Sequence, residues 1–210
     1  MPIDPVPIDG FVVTEGETVR HLVGLRCWCM ANKEGQPEPG CSNCKGEGYT
    51  HEDEKEIVGL ITSISGNRKL LESGLFYPGD CIFSPLTSDT VSEHDKIIFT
   101  WPLPYGEGDA IIRGNDDYDT LYYEAVSNIY LRDENKIVYK ENIDFQFNGK
   151  LIEWVWQDKP VEGSKPATGI RYTVKYKAYI EWIAFIPPST RISHGEDIGS
   201  KVFLRQRHIP

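Results

Sequence analysis

The sequence predicts a mainly β protein, with an antiparallel barrel-like or sandwich core, a small inserted metal-binding module and extended termini. Three observations predict this class. Short apolar and aromatic runs are separated by Gly, Pro, Asn and Asp, the residues that close turns. One segment, 170–182, places apolar or aromatic residues at every second position, the period of a strand with one packed face. Aromatic side chains (11 Tyr, 8 Phe and 5 Trp) concentrate in the C-terminal two thirds beside Ile and Val, where strands accommodate them.

Residues 1–20 read as an N-terminal arm and first strand. Pro2, Pro5, Pro7 and Gly10 fall in the first ten positions, and proline lacks a backbone donor and fixes φ. An extended arm is expected, either a disordered terminus or a clamp on a neighbouring subunit. Residues 21–50 are the metal-binding module, treated below.

Residues 51–125 read as the barrel-like region. His51-Glu52-Asp53-Glu54-Lys55-Glu56 opens it as a solvated acidic linker. Ile57 to Ile64 is a short apolar strand ending at Ser65-Gly66-Asn67. Tyr77-Pro78-Gly79-Asp80 is a turn into Cys81-Ile82-Phe83, and Lys96 to Trp101 is a further strand closed by Pro102, Pro104 and Gly106. A boundary falls within 116–130, around Asp116-Asp117-Tyr118-Asp119.

Residues 126–188 read as an antiparallel region. Asn148-Gly149 lies between Phe145-Gln146-Phe147 and the run from Leu151 to Trp156, and both residues tolerate the positive φ of a type I′ hairpin turn. The strand from Ile170 to Trp182 follows, with Arg171, Lys175, Lys177 and Glu181 expected to face outward. Pro187-Pro188 ends it. Residues 189–210 form a polar C-terminal tail, expected to be mobile until bound; Arg191, Lys201, Arg205 and Arg207 give it a modest basic end.

Chemistry gathers at the cysteines. Cys27-Trp28-Cys29 and Cys41-Ser42-Asn43-Cys44 are two closely spaced pairs joined by a polar, Gly/Pro-rich loop from Met30 to Gly40. Two thiolates one or two residues apart reach one ion from a tight turn, and zinc prefers four such ligands in a tetrahedron. Cys27, Cys29, Cys41 and Cys44 are therefore the predicted ligands of a structural Zn2+. Two disulfides, or four unrelated thiols, are the competing readings. With four thiolates the coordination is closed, whereas catalytic zinc keeps a position open. Gly46 and Gly48 let the chain leave the second pair. His21 and His51 flank the module and could replace a weak cysteine ligand, but an exposed or otherwise satisfied histidine is the expected state of each. Cys81 reads as a small core residue.

Cys41-Ser42-Asn43-Cys44-Lys45-Gly46-Glu47-Gly48 resembles one half of the DnaJ-type CxxCxGxG zinc motif. A DnaJ cysteine-rich domain repeats that motif, and this chain has a single copy preceded by CxC, so chaperone activity is not carried over.

Other chemistry lacks positive support. No dinucleotide fingerprint, phosphate-binding loop, HExxH helix or nucleophile elbow is present, and the chain reads as non-enzymatic. Asp116-Asp117 reads as a turn, and Asp89 to Asp95 as a solvated loop that in principle offers ligands to a divalent ion. The net charge of -10 disfavours autonomous nucleic-acid binding, because no strong local gathering of positive charge offsets it. Met1-Pro2-Ile3-Asp4-Pro5 is unlike a signal peptide, and no apolar run approaches a bilayer-spanning length. A soluble protein made in a reducing cytosol is expected, where paired cysteines bind metal rather than each other.

The proline-rich start and Gly10-Phe11 precede the cysteine module, and Gly79-Asp80 and Asp95-Lys96-Ile97-Ile98 follow it. Asn142-Ile143-Asp144-Phe145, Ile152-Glu153-Trp154, the run from Gly169 to Tyr176, and Pro187-Pro188-Ser189-Thr190-Arg191 complete the order. This order resembles the neck, or head-to-tail connector, proteins of tailed bacteriophages. The resemblance implies a head-closure or adaptor subunit repeated in a homo-oligomeric ring between portal and tail. It implies portal or adaptor and tail proteins as partners, genome DNA passing without sequence-specific binding, and no membrane. It places the chain in the virion neck, and in the host cytoplasm during assembly. Two alternatives stand beside it: a cytosolic zinc-ribbon protein-binding module, and a metal-dependent hydrolase or nuclease.

Overall fold

A computed structural model describes residues 5–31, 35–64, 71–77, 79–154, 165–193 and 196–206. The chain opens with α1 (Pro5–Glu15), then β1 (Glu17–Arg26), a 3₁₀ turn (Trp28–Met30), β2 (Tyr49–Ser63), β3 (Cys81–Pro85) and β4 (Lys96–Phe99). Next come β5 (Leu103–Pro104), β6 (Asp109–Ile112), β7 (Tyr118–Thr120), β8 (Glu124–Asp133), β9 (Phe145–Asn148), β10 (Leu151–Trp154) and β11 (Arg171–Tyr179). The last three strands are β12 (Glu181–Ala184), β13 (Ser189–Ser193) and β14 (Glu196–Gln206).

The chain divides into two compact units, Met1–Thr100 with Glu181–Pro210, and Trp101–Ile180. The second is thus an insertion between β4 and β12. These bounds differ from the expected regions 51–125 and 126–188. The boundary expected near Asp116 to Asp119 falls inside the insertion, where Asp119 is a core residue.

The first unit is a closed antiparallel barrel of six strands, ordered β12-β4-β1-β2-β3-β14 and sealed by pairing of β14 with β12. Closure removes the unpaired edges that an open sheet leaves exposed. The inward residues are the alternating apolar ones: Val19, Phe83, Ile97, Ala184, Val202 and Leu204 are all fully buried. Gly59 admits the Phe83 ring, because a Cβ at position 59 would sit 2.3 Å from it. The core is therefore barrel rather than sandwich in this unit.

Three expectations for this unit change. The proline-rich start is helical, not extended, from Pro5 onward. Pro5 and Pro7 occupy the first helical turn, whose N–H groups have no intrahelical acceptor, so their missing donors cost nothing there. The helix packs through Val12, and its Asp9 carboxylate accepts hydrogen bonds from the backbone and hydroxyl of Thr87. The acidic stretch 51–56 is not a linker but the first half of β2, paired with β1 from Tyr49↔Arg26 to Gly59↔Glu17. Residues 196–206 of the expected tail are a barrel strand. Val202-Phe203-Leu204 is too short an apolar signal to stand out in its polar surroundings.

The insertion contains two sheets. One is ordered β7-β10-β9, and in the other β11 pairs with β5, β6 and β8. Outward Arg171, Thr173, Lys175 and Lys177 alternate with buried Tyr172, Val174, Tyr176 and Ala178, as the period of two predicts. That strand ends at Tyr179, however. Ile180, Glu181 and Trp182 are buried in succession, and Glu181, on the face of β12 opposite to Trp182 and Ala184, lies 3.0 Å from Lys96 Nζ.

The hairpin of β9 and β10 forms, with Asn148 paired to Leu151, so the two-residue loop is Gly149-Lys150 rather than Asn148-Gly149. Gly149 alone has positive φ, 59°, the pattern of a turn with glycine at its first central position. The continuation of β10 to Trp156, and the end of the apolar run at Ser65 to Asn67, lie outside the described residues.

A candidate four-cysteine metal centre

The two cysteine pairs converge at the outer end of the β1–β2 ribbon. β1 ends at Arg26, and the Cys27 N–H donates to the Gly48 carbonyl at 2.8 Å, which ties the first pair to the exit of the second. A tight 3₁₀ turn follows, with Met30 N–H donating to the Cys27 carbonyl at 3.1 Å. The second pair sits in its own turn, where Lys45 N–H donates to the Cys41 carbonyl at 2.8 Å and Glu47 N–H to the Cys44 carbonyl at 2.9 Å. Gly48 has φ 82°, the left-handed region that favours glycine, and a Cβ there would lie 2.7 Å from Met30 Sδ and displace that side chain.

The four sulfurs meet. Cys27 Sγ lies 3.7 Å from Cys41 Sγ, and Cys29 Sγ lies 3.6 Å from Cys44 Sγ. All four lie within 4.8 Å of one another and all four residues are buried. A tetrahedron with metal–sulfur bonds of about 2.3 Å has sulfur–sulfur edges of about 3.8 Å. The set can hold a metal ion, and each bond would cross-link one pair to the other.

Local donors favour thiolate at one corner. The Cys29 backbone N–H and the Asn43 side chain, whose Nδ2 lies 3.4 Å from Cys27 Sγ, bring the Cys27 thiol down to about 6. Cys29 receives the Glu38 backbone N–H, which favours its thiolate, but burial and the neighbouring sulfurs outweigh it and push it up to about 12. Four thiolates this close need a cation to be ionised together.

The remaining candidates lie elsewhere. His21 is buried on β1, with Nε2 2.7 Å from Asp95 Oδ2, and His51 Nε2 lies 3.1 Å from the His94 carbonyl oxygen; neither joins the cysteines. Asp95, from the stretch considered for a divalent ion, also accepts from the backbone N–H of Gly24 and Ser92, so both of its oxygens are engaged by the protein. Cys81 is a buried residue of β3 whose thiol is raised to about 12 by burial and by Asp80, as fits an inert core position. Asp117 is paired with Lys165 at a 3.1 Å surface contact.

Two supporting residues were not singled out from the sequence. Asn43, between the ligands of the second pair, supplies a donor to sulfur. Trp28, between the ligands of the first pair, is 65% exposed. Its position was a usable signal, because two ligands that turn toward one ion leave the residue between them pointing away. Tyr49 packs on the cysteine cluster and stacks on His94 with ring centroids 3.9 Å apart, which fixes the base of the module.

No protein-family model matches the chain, and comparison with curated proteins finds no match. Among the described residues, no helix is long and apolar enough to cross a membrane.

Proposed function

We propose that this chain is a non-catalytic structural protein of a tailed-phage neck, a head-closure or adaptor subunit repeated in a ring between portal and tail, with the cysteine centre holding a structural Zn2+. The observation that carries the metal assignment is the closed set of four buried thiols with sulfur separations of 3.6 and 3.7 Å. Zinc is favoured because it takes four sulfurs without redox change or an open site. A ring protein also needs a stiff scaffold, and the closed barrel supports that reading, as does the resemblance in feature order. An excess of acidic charge, -10 in total, suits a channel that must pass DNA without gripping it.

Electron microscopy of native particles, with co-sedimentation of the purified chain on isolated portal and tail complexes, tests the assignment. Rings at the neck are expected. A chain that stays monomeric and associates with neither complex contradicts it.

One observation favours a second reading, the protein-binding zinc module. Trp28 stands exposed on a rigid metal turn, the kind of aromatic anchor that dominates interfaces. In that reading Trp28→Ala abolishes partner capture by the full chain and leaves zinc content and assembly unchanged.

A further inference from the structure

The outward face of the β6–β11–β8 sheet gathers positive charge from Arg171, Lys175 and Lys177 of β11 and Arg132 of β8. Register places Arg171 opposite Ile112, Thr173 opposite both Ala110 and Arg132, and Lys175 opposite Tyr130, so these side chains share one face with Lys177. All four cations are exposed, and none has an ion-pair partner among the described residues. Ile112 and Tyr130 stand beside them, 63% and 44% exposed, around a shallow concavity of about 850 Å³. Four unpaired cations with exposed apolar and aromatic neighbours are unusual on a chain of net charge -10, and Arg and Tyr are favoured interface residues.

The same chain carries the complement. β2 pairs with β3 only from Gly59 onward, so among the described residues its first half has no strand partner on that edge. Glu52, Asp53 and Glu56 lie exposed on that half without a cation partner among the described residues, while Glu54 and Lys55 are paired with Arg20 and Asp89.

We infer that the cationic face of β6–β11–β8 in one copy receives the acidic half of β2 from a second copy. Two different surfaces meet, so the contact is head-to-tail, and repetition builds a ring or filament. This deepens the ring assembly proposed above by naming the surfaces, and it does not depend on the metal.

Analytical ultracentrifugation of the full chain at low salt tests it. Wild type is expected to self-associate, and more weakly as salt rises. Arg171→Glu with Lys175→Glu should weaken self-association by more than about a hundredfold, and so should Glu52→Lys with Glu56→Lys. Mixed together, the two variants should co-assemble in alternation, because the intact acidic strand of the first meets the intact cationic face of the second and the two reversed surfaces again carry opposite charge. Should either variant misfold, carbodiimide cross-linking of mixed heavy- and light-isotope wild type serves instead, with intermolecular bonds from Lys175 or Lys177 to Glu52 or Glu56 expected.

Assembly unchanged by both reversals, or intermolecular cross-links without these pairs, overturns the interface and leaves the neck reading standing. DNA retention that the Arg171→Glu, Lys175→Glu variant loses while self-association persists assigns the face to phosphate and also overturns it. Head-to-tail assembly without affinity for portal or tail complexes keeps the interface and removes the neck reading. A wild-type chain that is monomeric throughout removes both.

Discussion

Cys27 and Cys41 are 14 residues apart in the chain, yet their sulfurs stand 3.7 Å apart, and Asn43 directs its amide nitrogen at the first of them. A metal at this point would clamp the loop between the pairs while the barrel rests on its own apolar core. Cys41→Ala should therefore abolish metal retention and speed amide exchange in residues 35–40. Exchange in β3, β4 and β14 should stay at the wild-type level, read by hydrogen-exchange mass spectrometry. Asn43→Ala should weaken metal binding about tenfold without unfolding, the usual cost of losing a group that orients a ligand. Global unfolding on chelation would show that the barrel depends on the metal.

Asp119 organises the inserted unit. Its carboxylate is buried and accepts from Trp154 Nε1 and Tyr172 Oη, each at 2.8 Å, and from Arg113 Nη1 at 3.3 Å. Asp119→Ala strands three buried donors, one of them charged, and should cost about 3–5 kcal/mol in urea unfolding followed by tryptophan fluorescence. Tyr172→Phe removes one donor and should cost about 1–2 kcal/mol. A loss under about 1 kcal/mol for Asp119→Ala would mean that water replaces the carboxylate.

Lys96 and Glu181 form a buried pair across β4 and β12, with Nζ and Oε2 3.0 Å apart. Removing either partner alone leaves a buried charge, so Lys96→Met should destabilise by about 3 kcal/mol or more. Lys96→Met combined with Glu181→Leu should recover most of that loss, because the pair's own desolvation cost is large. Equal losses in the single and double variants would contradict this.

His51 gives the stability a pH dependence. Burial first, then the Lys96 charge, hold its imidazole below the ordinary histidine range, so the folded state binds a proton less readily than the unfolded chain does. Stability from this group is present above the unfolded value of about 6.5 and falls as pH drops from there through the lower folded value. Wild type should lose urea resistance between pH 7 and 5, about the window of histidine titration, more steeply than His51→Gln. Parallel curves for the two proteins would assign the slope to other groups.

The sequence spoke most clearly where a local pattern coincided with tertiary demand. Alternation in 171–178 gave a strand with its faces correct, and paired cysteines gave four residues that do converge. It misled where tertiary closure overrode local character. Residues 196–206 are polar enough to read as a tail, yet a barrel must be closed, and Val202 and Leu204 suffice to seat β14. Glu181 looked solvated because its partner, Lys96, lies 85 positions earlier in the sequence. The prolines of α1 argued against a helix only if they were interior to it. Three charges of the cationic sheet face, Arg171, Lys175 and Lys177, were legible in the alternation of β11, whereas Arg132 joins them only through the register of β8.

The central claim, that Cys27, Cys29, Cys41 and Cys44 form one closed metal site, is tested most directly by elemental analysis of the purified chain combined with X-ray absorption at the metal edge. About one zinc per chain, with four sulfur neighbours at about 2.3 Å, is the expected result. Metal-free protein with two disulfides, or a metal with oxygen or nitrogen in its first coordination sphere, would contradict it.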